Sequence, residues 1–357
     1  MADPLGTPRP SRRVLVLGDA NVDLTLHVPA RLPDGRREVR EPVLTAGGTA
    51  ANTARGLGSL GVPVAFAGAV GDDAFGRRIA SDLAACGVDI GALVVTREAD
   101  TCQVIAMLEP DGERSLVVWP PDGGALRWLR PGDVAADVVA GAAWLHTTGM
   151  CLRDLPVREA VLAAMAEARA AGVPVSIDLN LRVELWGLDA ERRSVVERAV
   201  ALADVVLGSG PEELVPLASA MRASRAAGAV AQPGDAADAD DADSWPTDAE
   251  PAADAVVHAA RDLTGGTRTV VARLGGSGVL ACAPDGSILH SPAFKVKVAN
   301  IIGAGDAFNA GFIAAMVEGR GLPEALRWGN AVAARKVARP VGATDLPTRA
   351  EVVALLG

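Results

Sequence analysis

Tyrosine is absent from this 357-residue chain, and with five Phe and six Trp the aromatic share is 3%. No basic stripe interleaved with aromatic rings occurs, so nucleic acid is not an expected partner. Cysteine is scarce as well. Cys86, Cys102, Cys151 and Cys282 are widely separated, each in apolar surroundings and without a Cys-x-x-Cys pair or a nearby paired histidine. That spacing argues against a disulfide framework or a zinc site. The four histidines, His27, His146, His258 and His290, form no nucleophile–base arrangement and read as core or surface residues. No uninterrupted apolar run reaches the roughly 18 residues of a membrane span. Met1 to Arg13 is rich in proline and charge, unlike a signal peptide. No membrane partner is expected, and the expected location is cytoplasmic.

What is present is apolar. A hydrophobic share of 50% over this length supplies a large core, and the dominance of Ala, Val, Leu and Gly suits helices packed closely on a sheet, an α/β class. The formal charge of −10 is concentrated. Seven Asp and one Glu between Ala231 and Asp254, with no Lys or Arg, supply −8 of it and leave the rest near −2. This Ala/Asp/Pro tract has too few large apolar groups to offset its ordering entropy, and a disordered surface insertion is expected there.

Val14-Leu15-Val16-Leu17-Gly18 reads as a strand buried on both faces. Strand–helix alternation continues through helix Thr49–Leu60, strand Val64–Gly68 and helix Ala74–Cys86. It resumes with strands at Ala143–His146, Val175–Asp178 and Asp204–Leu207, between which lie helices Val157–Ala171 and Ala190–Leu202. Thr269–Leu274 and Gly278–Ala283 read as strands, and Gly305–Gly319 and Pro323–Ala338 as helices. Two stretches break this rhythm with apolar–polar alternation. Asn21–Glu41 and Thr101–Trp119, the latter around the turn Pro110-Asp111-Gly112, are expected to pair in a small separate sheet, a lid. In a right-handed parallel sheet the carboxyl ends of the strands carry the ligand site.

Two glycine-rich helix starts stand out. In Gly303-Ala304-Gly305-Asp306 the backbone can approach a ligand closely, and the unpaired amides opening the next helix suit an anion. Asp306 at the same helix start could receive a proton; the alternative is an ordinary aspartate cap. A carboxylate there is expected to have a depressed pKa. Gly47-Gly48-Thr49-Ala50-Ala51-Asn52 would offer backbone amides and a side-chain amide to sugar hydroxyls; the alternative is a glycine turn into a helix. Just upstream, Asp23 could accept two hydrogen bonds from adjacent hydroxyls or simply cap a turn.

These motifs, Gly47-Gly48-x-x-x-Asn52-x-Ala54-x-x-Leu57-x-x-Leu60-Gly61 and Gly303-Ala304-Gly305-Asp306-Ala307-Phe308, are those of the ribokinase-like carbohydrate kinases, the PfkB family, which the chain resembles over nearly its whole length. The likeness recurs at Gly68-x-Val70-Gly71-x-Asp73-x-x-Gly76, Asp178-x-Asn180-x-Arg182-x-x-x-Trp186, Leu274-Gly275-x-x-Gly278, Asn330 and Gly342-Ala343. The resemblance implies a three-layer α/β/α sandwich with a mostly parallel central sheet and a small β-sheet lid. It further implies transfer of a phosphoryl group from ATP, with Mg²⁺, to a hydroxyl of a small sugar or sugar acid. By resemblance Asp306 is the general base and the amides of Ala304, Gly305 and Asp306, after Gly303, form an anion hole. Asn21, Asp23, Gly47, Gly48 and Asn52 map onto sugar-binding positions. Arg182 could pair with a substrate carboxylate or phosphate, or form a structural salt bridge. Gly275 and Gly278 map onto the nucleotide-binding turn and Asn330 onto the purine pocket. The expected organisation is a flexible tail over 1–12 and a kinase domain over 13–357, with lid strands at about 21–46 and 100–120 and the acidic insertion at about 231–254. A homodimer through the lid is a further expectation.

The sequence departs from the family in three places. Where many relatives have Asn-x-x-Glu, which organises water around Mg²⁺, Ser209 replaces the amide and Glu212 is retained. Where many have Asp-Thr-Thr before the second motif, to hold a monovalent cation, Asn300-Ile301-Ile302 offers no hydroxyl, so the resemblance does not carry potassium activation over to this chain. Thr49 replaces a lysine frequent in ribokinases. Alternatives outside this reading fare poorly: no Gly-x-Gly-x-x-Gly follows the first strand and no Gly-Lys pair exists for a P-loop. An adenosine-type nucleoside kinase or a catalytically silent sugar sensor on the same fold remain the alternatives.

Overall fold

The computed structural model describes residues 12–27, 42–108, 114–229, 253–340 and 346–357. Nine strands form the central sheet: β1 (Val14–Leu17), β4 (Val64–Gly71), β5 (Val88–Thr96), β8 (Trp144–Thr148), β9 (Val175–Asp178), β10 (Val205–Ser209), β11 (Thr269–Arg273), β12 (Val279–Cys282) and β13 (Ile288–Ser291). Their spatial order is β13-β12-β11-β10-β9-β8-β1-β4-β5. Pairing is parallel from β5 to β11 and antiparallel at β11–β12 and β12–β13. A separate mixed sheet holds β2 (Asn21–His27), β3 (Val43–Gly47), β6 (Gln103–Leu108) and β7 (Arg114–Trp119) in the order β3-β2-β6-β7. The two alternating stretches thus meet through the parallel pair β2–β6. The turn Pro110-Asp111-Gly112 lies outside the described residues, as does Gly342-Ala343.

Strand periodicity divides the core in two. Leu15 and Leu17 pack on one side of the sheet with the helices Val157–Ala170, Ala190–Leu202 and Ala253–Thr264. Val14 and Val16 pack on the other, against the helices Thr49–Ser59, Ala304–Val317 and Leu322–Val337. Burial on both faces explains why these strands are continuous apolar runs, and two helical layers on one sheet are the three-layer sandwich expected. No helix among the described residues is long and apolar enough to cross a membrane.

Several elements differ from the sequence reading. β5 was not anticipated: Asp89 and Gly91 interrupt its apolar pattern, and Val95 is exposed at the sheet edge. The helix Val215–Ala229 and β13 were likewise unread. Of the acidic stretch 231–254, all but the last two residues lie outside the described residues; Ala253 and Asp254 open the Ala253–Thr264 helix. The motif around Asp73 resolves as a structural joint. Asp73 caps the Ala74–Ala85 helix by accepting from Gly76 N at 2.8 Å, and it also accepts from Thr101 N at 2.7 Å and Thr101 Oγ1 at 2.9 Å, tying the helix to the approach to β6.

Candidate active site

The carboxyl ends of the parallel strands bring together residues far apart in sequence. Gly303 takes a left-handed conformation, φ 76°, and turns the chain into the Ala304–Val317 helix with Asp306 in its first turn. Ala304 N donates to Ile301 O at 3.2 Å, whereas Gly305 N and Asp306 N have no backbone acceptor among the described residues. Of the three amides that the resemblance assigned to an anion hole, two are thus open. Asn52, on the Thr49–Ser59 helix, donates Nδ2 to Asp306 Oδ2 at 2.9 Å. The two motifs thus meet across 254 positions, and Asn52 bonds directly to the Asp306 carboxylate.

The expectation of a depressed Asp306 pKa is corrected. Burial pushes it up to about 7; the carboxylates of Asp178 and Asp19 add to the rise, which the Asn52 hydrogen bond and the Arg273 charge oppose. A helix terminus offers a fraction of a charge at its first turn, and here loss of water beside two carboxylates outweighs it.

A second correction concerns Gly47–Asn52. Gly48, φ 98°, opens the helix, but Thr49 N and Ala50 N donate to the Asp19 carboxylate at 2.7 and 3.2 Å. Thr148 Oγ1 donates to Asp19 Oδ1 at 3.2 Å, and burial raises the Asp19 pKa. These amides, expected to meet sugar hydroxyls, are occupied by a cap from 30 residues upstream. Asn21 and Asp23 stay together on β2, with Asn21 Nδ2 donating to Asp23 Oδ1 at 2.6 Å. A Cβ on Gly47 would stand 2.2 Å from Asp23 Oδ2, so glycine here leaves room for that carboxylate.

Asp178, which ends β9, is buried and gripped by Arg273 of β11 and Asn309. Arg273 holds its carboxyl below the ordinary carboxylate range despite burial. Asn180 Nδ2 donates to Thr49 Oγ1 at 2.6 Å. Arg182, in a left-handed conformation with φ 49°, is exposed and makes no ion pair among the described residues, so the salt-bridge alternative gains no support. Trp186 lies between the guanidiniums of Arg153 and Arg192, 4.7 and 5.4 Å from its ring centre.

On the nucleotide side, Gly275 and Gly278 flank the exposed turn Gly275–Ser277, closed by Leu274 N donating to Gly278 O at 2.8 Å. Asn330 is buried, and its Nδ2 donates to Ser291 O, Ser291 Oγ and Pro292 O at 2.9, 3.1 and 3.2 Å. Its amide nitrogen therefore pins the end of β13. A five-residue π-helical turn, Gly210–Leu214, follows β10, and its register separates two glutamates. Glu212 is exposed without a partner among the described residues. Glu213 is buried, accepting from Leu181 N and Ser209 N at 2.7 Å each. Among the described residues no cluster of three His, Cys, Asp or Glu forms a metal cage. A divalent cation held mainly by nucleotide phosphates, with Glu212 as a carboxylate reaching it through water, is compatible with this donor set. In the preceding loop, Asn300 Oδ1 accepts from Ile302 N at 3.0 Å, and Ile301 and Ile302 are exposed.

Sequence reasoning passed over Thr148, Glu213, Arg273 and Asn309. Two carried a usable signal: Asn309 follows Asp306 by one helical turn, and Arg273 immediately precedes the Leu274-Gly275 motif. His146, read as core, is buried at the middle of β8 with Nδ1 2.8 Å from Ser176 Oγ, and burial lowers its pKa to about 4.

Comparison with known proteins agrees with this geometry. The pattern of the pfkB family carbohydrate kinases matches residues 11–233 and 236–349. A 5-dehydro-2-deoxygluconokinase of Shouchella clausii is 28% identical over 345 residues, 96% of this chain and 95% of that relative. A fructokinase of Klebsiella pneumoniae is 31% identical over 323 residues, 88% and 87% of the two chains. Among solved structures, a fructokinase from Vibrio cholerae in a fructose-, ADP- and calcium-bound form superimposes with a TM-score of 0.73 at 28% identity, covering 97% of this chain and 99% of that one. With its helix-start motif, its paired Asn52 and Asp306 and its ribokinase-like sandwich, the chain belongs to the pfkB family of carbohydrate kinases.

Proposed function

We propose that this enzyme transfers the γ-phosphoryl group of ATP to a hydroxyl, primary by preference, of a small sugar or sugar acid. The observation that carries the reading is the Asn52–Asp306 pair beside the open amides of Gly305 and Asp306. A carboxylate with a pKa of about 7 suits a general base at neutral pH, being largely ionised yet basic enough to accept a proton. In the step, Asp306 takes the acceptor's hydroxyl proton, the acceptor oxygen bonds to the γ-phosphorus, and the bond from phosphorus to the ADP oxygen breaks. The two amides and the positive end of the Ala304–Val317 helix stabilise negative charge on the group in transit. Asn21 and Asp23 supply one donor group and one acceptor group to sugar hydroxyls, and Arg182 is a cation available to an acidic substituent. The nucleotide lies along the Gly275–Gly278 turn and Ser209, near Asn330. A bound Mg²⁺ ion, held by the phosphates with Glu212 through water, supplies neutralisation of phosphate charge. The four-stranded sheet serves as a lid that excludes water, and its exposed edge strand β7, with Leu116, Val117, Val118 and Trp119 all exposed, forms a homodimer contact.

The test is ATP consumption by the purified protein against ribose, fructose, 2-keto-3-deoxygluconate, tagatose phosphates and adenosine. Turnover on a sugar or sugar acid supports the proposal, and preference for adenosine favours the nucleoside kinase. No turnover on any of them would favour a silent sensor.

A further inference from the structure

Arg273 closes β11 with a largely buried charge, its side chain 18% exposed, to which the mechanism above assigns no task. Its terminal fork is fixed from three directions. Nη2 donates to Asp178 Oδ1 at 2.7 Å; Nη1 donates to Asp178 Oδ2 at 3.1 Å and to Asn309 Oδ1 at 3.0 Å. Asn309 locks the arrangement by donating Nδ2 to Asp178 Oδ2 at 2.7 Å, and Glu213 Oε2 lies 3.8 Å from Nη2. The guanidinium cannot turn without breaking these bonds. The nitrogen left over is Nε, which has no acceptor among the described residues. The guanidinium lies against Gly305: a Cβ built there would lie 3.3 Å from Arg273 Cζ, 3.5 Å from Nε and 3.6 Å from Nη1. Gly305 carries one of the two open amides, so a fixed cationic N–H and the anion hole adjoin. A purely structural ion pair between strand ends has no need of this.

Building on the kinase reading, we propose that Arg273 is a catalytic residue whose Nε–H contacts the phosphoryl group in transit, with Asp178 and Asn309 as the positioning residues that hold it there. The arginine exchanges no proton. It supplies charge to the phosphoryl oxygens while the bond to the ADP oxygen breaks, the bond to the acceptor oxygen forms and the acceptor's proton passes to Asp306. The glycine at 305 is then explained twice over, since any side chain would crowd both the guanidinium and the phosphate.

Two variants test this. Arg273→Lys keeps the charge but loses the fork and the Nε position. Asp178→Asn combined with Arg273→Gln removes both charges, so that no carboxylate is left buried and unpaired. For each, turnover is measured together with calorimetric affinities for ADP and for a non-hydrolysable ATP analogue that carries a γ-phosphate. The expected result is a fall in kcat of at least about 10²-fold, the typical loss on removing one donor to transition-state charge. ADP affinity should change by less than about threefold while analogue affinity falls at least about tenfold, because only the analogue carries the group that Arg273 contacts. Unchanged turnover, or equal weakening of both nucleotides, overturns the proposal. A parent protein that binds neither nucleotide overturns the kinase reading itself, and the two failures are thereby distinguishable.

Discussion

Replacing Asp306 by asparagine removes the proton acceptor while keeping the shape of the helix start, and the expected loss of turnover is at least about 10²-fold with sugar binding retained. The structure adds a signature in pH. With the carboxyl pushed up to about 7, the ionised fraction of the free enzyme, and with it kcat/KM, falls about tenfold between pH 8 and pH 6. An aspartate with an ordinary pKa near 3.9 would leave the same range flat. The assay is kcat/KM for parent and Asp306→Asn from pH 5 to 9, taken as the ratio of the two so that titration of the nucleotide itself cancels. A second readout has the opposite sign. The folded chain keeps a proton on Asp306 that the unfolded chain releases at lower pH, so the ionised carboxylate costs stability increasingly as pH rises toward about 7 and the cost is constant above it. Asp306→Asn should therefore melt a few degrees higher than the parent at pH 8, and the gap should shrink at pH 5. A flat activity ratio over the whole range, or a melting difference that grows on acidification, would refute the reasoning.

Asn52→Ala removes the hydrogen bond that favours ionised Asp306, so the acidic limb of the same profile should move to higher pH; an unmoved limb would mean that Asn52 serves only the sugar. Exposed Ile301 and Ile302, beside an Asn300 side chain that already accepts from Ile302 N, offer a monovalent cation no side-chain hydroxyl. Equal turnover in sodium and potassium buffers is expected, and severalfold stimulation by potassium would contradict it. Light scattering should give twice the chain mass of 36.3 kDa for the parent and a single chain mass for Leu116→Lys with Val118→Lys; a monomeric parent removes the lid contact.

How far the fold was legible depended on burial. β1, β10 and β11 are apolar over most of their length because both faces are covered, and such runs bounded by turns identify themselves. β5 does not, because an edge strand need bury only part of its surface and so tolerates Asp89 and Gly91. The Val215–Ala229 helix was obscured by Pro216 in its first turn and by the Ala-rich tract that follows it. At the site, local motifs singled out Asp306, Gly303 and Asn52, though not the bond from Asn52 to Asp306 across 254 positions. Asp19 was missed as the cap of the Thr49–Ser59 helix, since nothing near Thr49 signals a carboxylate 30 residues away. Glu212 and Glu213 could not be told apart without the π-helical turn that sends one outward and the other inward.

The one expectation that failed in sign, the pKa of Asp306, also identifies what sets the chemistry. Rules that act along the chain see a helix start and forecast a weak base. The fold instead sets Asp19 and Asp178 near the buried Asp306, and the one guanidinium that acts on it, Arg273, is already engaged by Asp178. The same loss of water and crowding of carboxylates gives Asp306 the basicity that the proposed proton transfer needs at neutral pH and makes its ionised form unfavourable in the folded chain. Base strength and lost stability are thus one quantity measured in two ways. A substitution that relieves the strain, such as Asp306→Asn, must therefore give up the base in proportion, and no redesign confined to this carboxylate can separate the two.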